Sequence, residues 1–129
     1  MVLIPDILAE QNIQEMHRDH VPILPPNFTL LGSSTVCANQ GMVQIYGTNQ
    51  SAPPEKIEPS DIHILTFQGH PEFTASIVEK VVDIRAEKGI YDQAVAEKAR
   101  LNAVKKHDGT GRVGALVWKV LASANNRND

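Results

Sequence analysis

At 129 residues the chain has room for one domain and not for two, and a hydrophobic fraction of 42% suffices for a sizeable core. Its 15 acidic and 12 basic side chains leave a formal charge of −3, with no basic block or aromatic-plus-basic patch, so nucleic acid is excluded as an expected partner. No apolar run is long enough for a bilayer, Met1-Val2-Leu3-Ile4-Pro5-Asp6 lacks a basic leader, and the lone Cys37 excludes an intramolecular disulfide, so no membrane association and a cytoplasmic location are expected.

Residues 1–11 form a short apolar lead-in. Asn12 to Met16 alternate weakly, which predicts a strand. Val21-Pro22-Ile23-Leu24-Pro25-Pro26-Asn27 is a connection, because its prolines lack backbone donors and force extended neighbours. Phe28 to Gly32 and Val36-Cys37-Ala38 read as short strands around a Ser-rich turn. Met42-Val43-Gln44-Ile45-Tyr46 alternates with period two, as an antiparallel strand with one covered face does. Gly47 to Ser60 is a loop rich in Gly, Asn, Ser and Pro.

Ile62-His63-Ile64-Leu65-Thr66-Phe67 is nearly continuously apolar, the pattern of a parallel-type strand covered on both faces. Helical spacing follows. Ile77, Val78, Val81 and Ile84 predict a helix over 74–88 that Gly89 stops. Asp92 caps a second helix to about His107, and Asp108-Gly109-Thr110-Gly111 breaks it. Val113, Leu116, Val117, Val120 and Leu121 then follow the i, i+3, i+4, i+7, i+8 rule of a third helix. The predicted organisation is an α/β domain over 12–124 and a polar tail over 125–129, with no internal repeat. A buried parallel-type strand needs partners on both sides, which these short strands do not supply. The pattern therefore expects further sheet preceding residue 1.

The chemistry concentrates in Phe67-Gln68-Gly69-His70-Pro71-Glu72. Extended side chains at i and i+2 point the same way, and Pro71 pushes His70 towards extended backbone. His70 and Glu72 therefore project together beyond a strand end, where ligands of open α/β sheets bind. Gly69 allows close backbone approach or an unusual φ. An imidazole beside a carboxylate is a general base with its orienting group. An isolated His-Pro-Glu also reads as an ordinary strand end leading into a helix, and the preceding apolar strand with Phe-Gln-Gly favours the chemical reading.

This hexapeptide resembles the C-terminal signature of class I (triad-type) glutamine amidotransferases. Met16-His17-Arg18-Asp19-His20-Val21, Leu24-Pro25 and Phe28 to Ser34 resemble the block upstream of that signature, and His107-Asp108-Gly109 with its following helix resembles the family's end. The wording is similar to that of the fungal and plant branch that includes γ-glutamyl peptidases, over about residues 12–124. The resemblance implies the C-terminal half of a flavodoxin-like three-layer domain, in which a cysteine on a strand-to-helix elbow attacks the γ-carbonyl of glutamine or of a γ-glutamyl group. It implies that His70 is the base, that Glu72 orients it, and that Met16, His17, Arg18 and Asp19 flank the substrate pocket. It implies no cofactor.

The family's Gly-x-Cys-x-Gly-x-Gln elbow does not occur in these residues. Cys37 stands in Val36-Cys37-Ala38-Asn39-Gln40-Gly41, without the required glycines or a following helix, and reads as a small buried hydrophobe. His17, Asp19 and His20 lack the context of a metal site, so no metal is expected. His63 reads as a core or face residue, Tyr46 and Trp118 as packing residues, and Lys105-Lys106 as complements of a helix C-terminus. Three readings stand open: part of a γ-glutamyl hydrolase or amidotransferase, inactive alone; a non-catalytic binding or regulatory module; and a half that assembles with a chain supplying the elbow.

Overall fold

The computed structural model describes residues 12–17, 19–47 and 53–125. The expected lead-in, Arg18, part of the 47–60 loop and the tail beyond Asn125 lie outside the described residues. The fold is mixed α/β, with a three-stranded sheet ordered β1 (Thr29–Gly32), β2 (Gly41–Ile45), β3 (Ile62–Phe67). Three helices follow: α1 (Ala75–Glu87), α2 (Gln93–Ala103) and α3 (Gly114–Asn125).

Two strand expectations are corrected. Residues 36–38 form no strand, because Ser34 N–H donates to the Cys37 carbonyl at 2.8 Å and the Cys37 amide donates to Ser34 Oγ at 3.1 Å. This turn consumes the donors a ladder would need and carries the chain from β1 into β2. Residues 12–16 likewise make one bridge, Gln14 to His70, and no strand.

β3 also differs from its predicted type. It pairs antiparallel with β2, from Gly41 opposite Phe67 to Ile45 opposite Ile62. A bulge between Gln44 and Ile45 leaves His63 as the extra residue. It thereby returns Ile62 to the face that carries Leu65 and Phe67. That face packs with Leu31, Val43, Ile57 and the α3 residues Leu116 and Val120. The opposite face is bare enough to leave Leu30 and Ile64 exposed. The apolar run of β3 therefore joins the core with one face and leaves the other partly exposed.

Side chains cap the first two helices. Thr74 Oγ1 accepts from the Ile77 amide, and Asp92 Oδ1 accepts from the Val95 amide. Gly89 takes φ +67°, with Gly89 N–H on the Ala86 carbonyl and Ile90 N–H on the Arg85 carbonyl. This left-handed stop turns α1 into α2, and the pair buries Val78, Val82, Ala96 and Ala103.

α2 ends at Ala103, short of the expected His107. The Ala103 carbonyl accepts from Gln14 Nε2 at 3.2 Å, and the Asp108 amide donates to the Asn12 carbonyl at 2.8 Å. The chain must leave the helix to make that second contact. Asp108 to Gly111 is then a wide turn over Gly109–Val113 that runs directly into α3. Val113 at the end of that turn and Leu116 on α3 are fully buried, whereas Trp118 is 73% exposed and Leu121 is also exposed. Trp118 is thus a surface residue, because its position lies opposite the Leu116 stripe. Tyr46 is half exposed and its ring lies 4.5 Å from that of exposed His63, so the pair packs at the surface and His63 is the face residue of its two readings. No helix among the described residues is long and apolar enough to cross a membrane.

Candidate active site

The site stands at the end of β3. Gln68 N–H donates to the Gln40 carbonyl at 2.9 Å, which is the last ladder-like contact before the chain leaves the sheet. The His70 amide then donates to the Gln14 carbonyl at 2.8 Å, and the Phe73 amide to the His70 carbonyl at 3.2 Å. These two bonds fix the backbone of His70 on both sides of its side chain.

The imidazole meets Glu72 as the i, i+2 spacing predicts. Nδ1 lies 3.0 Å from Glu72 Oε1. Because an ionised carboxylate only accepts, Nδ1 carries the hydrogen, so that in the neutral ring it is Nε2 that has the lone pair. Among the described residues Nε2 has no hydrogen-bond partner. The ring stacks on Phe73 at 4.1 Å between centroids and 10° between planes, which covers one face. The hydrogen bond from His70 holds the Glu72 carboxyl below its ordinary value, helped by the Glu72 amide. Side-chain exposures of 36% for His70 and 64% for Glu72 leave the pair open to a ligand.

The upstream block lies against this motif. Gln68 Nε2 donates to the Asp19 carbonyl at 3.2 Å. The same carbonyl lies 3.0 Å from His17 Nδ1, and His17 Nε2 pairs with Glu15. A Cβ built at Gly69 would stand 2.6 Å from Glu15 Oε1 and 2.9 Å from Ile13 Cγ2. Gly69 thus serves the close approach that its position suggests, and its φ is not positive. Met16 turns its side chain into the α1–α2 cluster, and its carbonyl accepts from Arg85 Nη1 at 3.5 Å.

Cys37 is buried, and its thiol donates to the Asn39 carbonyl at 3.2 Å. No hydrogen bond among the described residues joins it to His70. The residues that sequence reasoning passed over are Glu15, Gln14, Phe73 and Gly109, which packs on the Pro71 backbone. Glu15-x-His17 repeats, in reverse order, the i, i+2 spacing of His70-x-Glu72, and that echo was the available signal for Glu15.

Sequence comparison places these residues among known proteins. The chain is 32% identical over 88 residues to a glutamine amidotransferase-like protein of Schizosaccharomyces pombe, covering 68% of the chain and 29% of that relative. It is 30% identical over 116 residues to gamma-glutamyl peptidase 3 of Arabidopsis thaliana, covering 90% of the chain and 38% of the relative. Gamma-glutamyl peptidase 2 of the same plant is 26% identical over 116 residues, covering 90% of the chain and 40% of the relative. The chain therefore spans well under half the length of these relatives. No protein-family model matches it, and no solved structure does.

Proposed function

We propose that this chain, similar to a glutamine amidotransferase-like protein and to gamma-glutamyl peptidases, is part of a class I glutamine amidotransferase-like domain, and that His70 and Glu72 are the base and orienting carboxylate of a Cys-His-Glu triad acting on a γ-glutamyl bond. The observation that carries this reading is the Nδ1–Glu72 hydrogen bond at 3.0 Å, which leaves Nε2 without a partner among the described residues, on a side chain 36% exposed. The single cysteine of these residues is buried and its hydrogen is already donated, so the nucleophile of this reading stands outside them.

The chemistry follows from those positions. His70 Nε2 takes the proton of the cysteine thiol as its sulfur adds to the γ-carbonyl carbon. The carbon–nitrogen bond breaks, and the same proton passes to the departing ammonia or amine. Water then adds to the thioester with His70 again as base, releasing glutamate or the free γ-carboxylate and restoring the thiol. Glu72 keeps Nδ1 protonated throughout and favours the imidazolium that forms in each half.

Turnover of glutamine and of a γ-glutamyl dipeptide by the full natural chain tests the reading. His70→Ala lowers kcat by roughly 10²–10⁴, the usual worth of a positioned base. Unchanged turnover in that variant defeats the assignment. These 129 residues by themselves give no turnover above buffer. The open face of β3 favours a second arrangement, in which a separate chain supplies the nucleophile; recovery of a partner carrying a Gly-x-Cys-x-Gly elbow distinguishes the two.

A further inference from the structure

A second carboxylate–imidazole pair stands beside the first, and nothing in the triad chemistry uses it. Glu15 Oε2 meets His17 Nε2, and His17 Nδ1 lies 3.0 Å from the Asp19 carbonyl. A carbonyl only accepts, so Nδ1 carries a hydrogen. The Nε2–Glu15 contact then also needs a proton, on the ring or on the carboxyl. Glu15 and His17 together therefore hold one proton between them, and both ring nitrogens are committed inside the protein. His17 has no nitrogen to offer a substrate. It is a strut.

What the strut supports is the turn that carries His70. The Asp19 carbonyl receives both His17 and Gln68, which binds the 15–19 segment to the residue just before Gly69. Glu15 Oε1 fills the space a side chain at position 69 would need, 2.6 Å from an ideal Cβ. Gln14, next to it, accepts the His70 amide and anchors itself to the end of α2 through the Ala103 carbonyl. Arg85 fixes the following Met16 carbonyl from α1. Gln14 and Glu15 thus bracket Gly69-His70 from one side, while Phe73 stacks on the ring. Partial burial raises the Glu15 carboxyl from its ordinary value against the opposing pull of His17 and, more weakly, His70, while the side chain stays 38% exposed.

We infer that Glu15 is a positioning residue for His70: with His17 it forms a proton-sharing clasp that locks residues 14–17 and Asp19 onto Gly69 and so sets the imidazole of the triad. The inference rests on the proposed triad for its catalytic consequence and on the geometry alone for its structural one. Glu15→Gln preserves the clasp, since the new amide N–H donates to a neutral His17 Nε2. Glu15→Ala removes it. Gly69→Ala displaces it.

The test uses the full natural chain, with ring 13C–1H spectra of His70 and steady-state kinetics on a γ-glutamyl substrate. In Glu15→Ala and Gly69→Ala the His70 ring signals move by more than a line width, and in Glu15→Gln they stay. Per folded molecule, kcat falls roughly ten- to a hundredfold in Glu15→Ala, as displacement of a reacting group does, with KM nearly unchanged. Glu15→Gln recovers most of that loss. His70 signals unmoved in Glu15→Ala overturn the clasp whether or not the chain turns over. An inactive wild type with the predicted spectral pattern refutes the proposed hydrolysis and leaves the clasp standing. A Glu15→Gln as poor as Glu15→Ala would mean that charge, and not positioning, is what Glu15 supplies.

Discussion

Two glycines in the turn before α3 should respond oppositely to the same methyl group. At Gly109 an added Cβ runs into the Pro71 carbonyl oxygen and stands 2.8 Å from the Pro71 Cα and 2.9 Å from its carbonyl carbon. All three are backbone atoms, so no side chain can rotate away. Overpacking typically costs about 1–3 kcal/mol, and a contact with fixed backbone belongs near the top of that range, about 3 kcal/mol. At Gly111 nothing lies within 4 Å of the built Cβ, and its φ is not positive. There alanine restricts the unfolded chain without a clash and should gain about 0.4–1 kcal/mol. Urea unfolding of the full natural chain, followed by far-UV circular dichroism, measures both. With a slope of about 1–3 kcal/mol per molar, Gly109→Ala should lower the midpoint by roughly 1 M or more. Pro71 separates His70 from Glu72, so the strained turn also lowers kcat. Gly109→Ala with the wild-type midpoint would show that the 70–73 turn yields freely, and the rigid placement of His70 would have to be abandoned.

The remaining predictions concern burial and charge. Leu116→Ala should cost about 2–5 kcal/mol, whereas Trp118→Ala, two residues on, should stay within about 0.5 kcal/mol; equal losses in thermal melts would contradict their opposite placement on α3. Glu72 has a folded value held below the unfolded one. Its stabilisation is present above the unfolded carboxylate range and is lost as pH falls through the depressed value, and its exposure keeps the contribution small. Unfolding curves of wild type and Glu72→Gln should therefore converge between about pH 7 and pH 3, and a gap that widens on acidification would refute the pairing. Cys37 should resist thiol reagents in the native chain and react as it unfolds, and Cys37→Ser should retain turnover; rapid native labelling together with loss of turnover would make Cys37 a candidate nucleophile after all.

The sequence shows most clearly what depends on neighbours along the chain. Asp92 announces the second helix because a cap acts within one turn. Gly89 marks a helix end because a left-handed φ is a local demand. His70 and Glu72 meet because the i, i+2 spacing and Pro71 leave them few alternatives. Errors arise where distant contacts outweigh local preference. Residues 104–107 suit a helix, yet Asp108 must reach Asn12 across 96 positions. Val36-Cys37-Ala38 suits a strand, yet the Ser34 hydroxyl captures the Cys37 amide.

β3 presents a different kind of mismatch. Apolar residues in succession predict cover on both faces, and the bulge at His63 explains only part of the departure. It lets Ile62, Leu65 and Phe67 share the face against α3, so a run that looks two-sided fills one side more densely than simple alternation allows. Ile64 and Leu30 are left over on the other face, where each is 38% exposed. The same separation of local from distant explains the candidate site. Its His-Glu pair lies within one hexapeptide, whereas its Glu15–His17 brace comes from far upstream and becomes visible only when both segments are folded together. Gly69 connects the two scales. Its missing side chain is a local fact, but the reason for it is the carboxylate that fills the space.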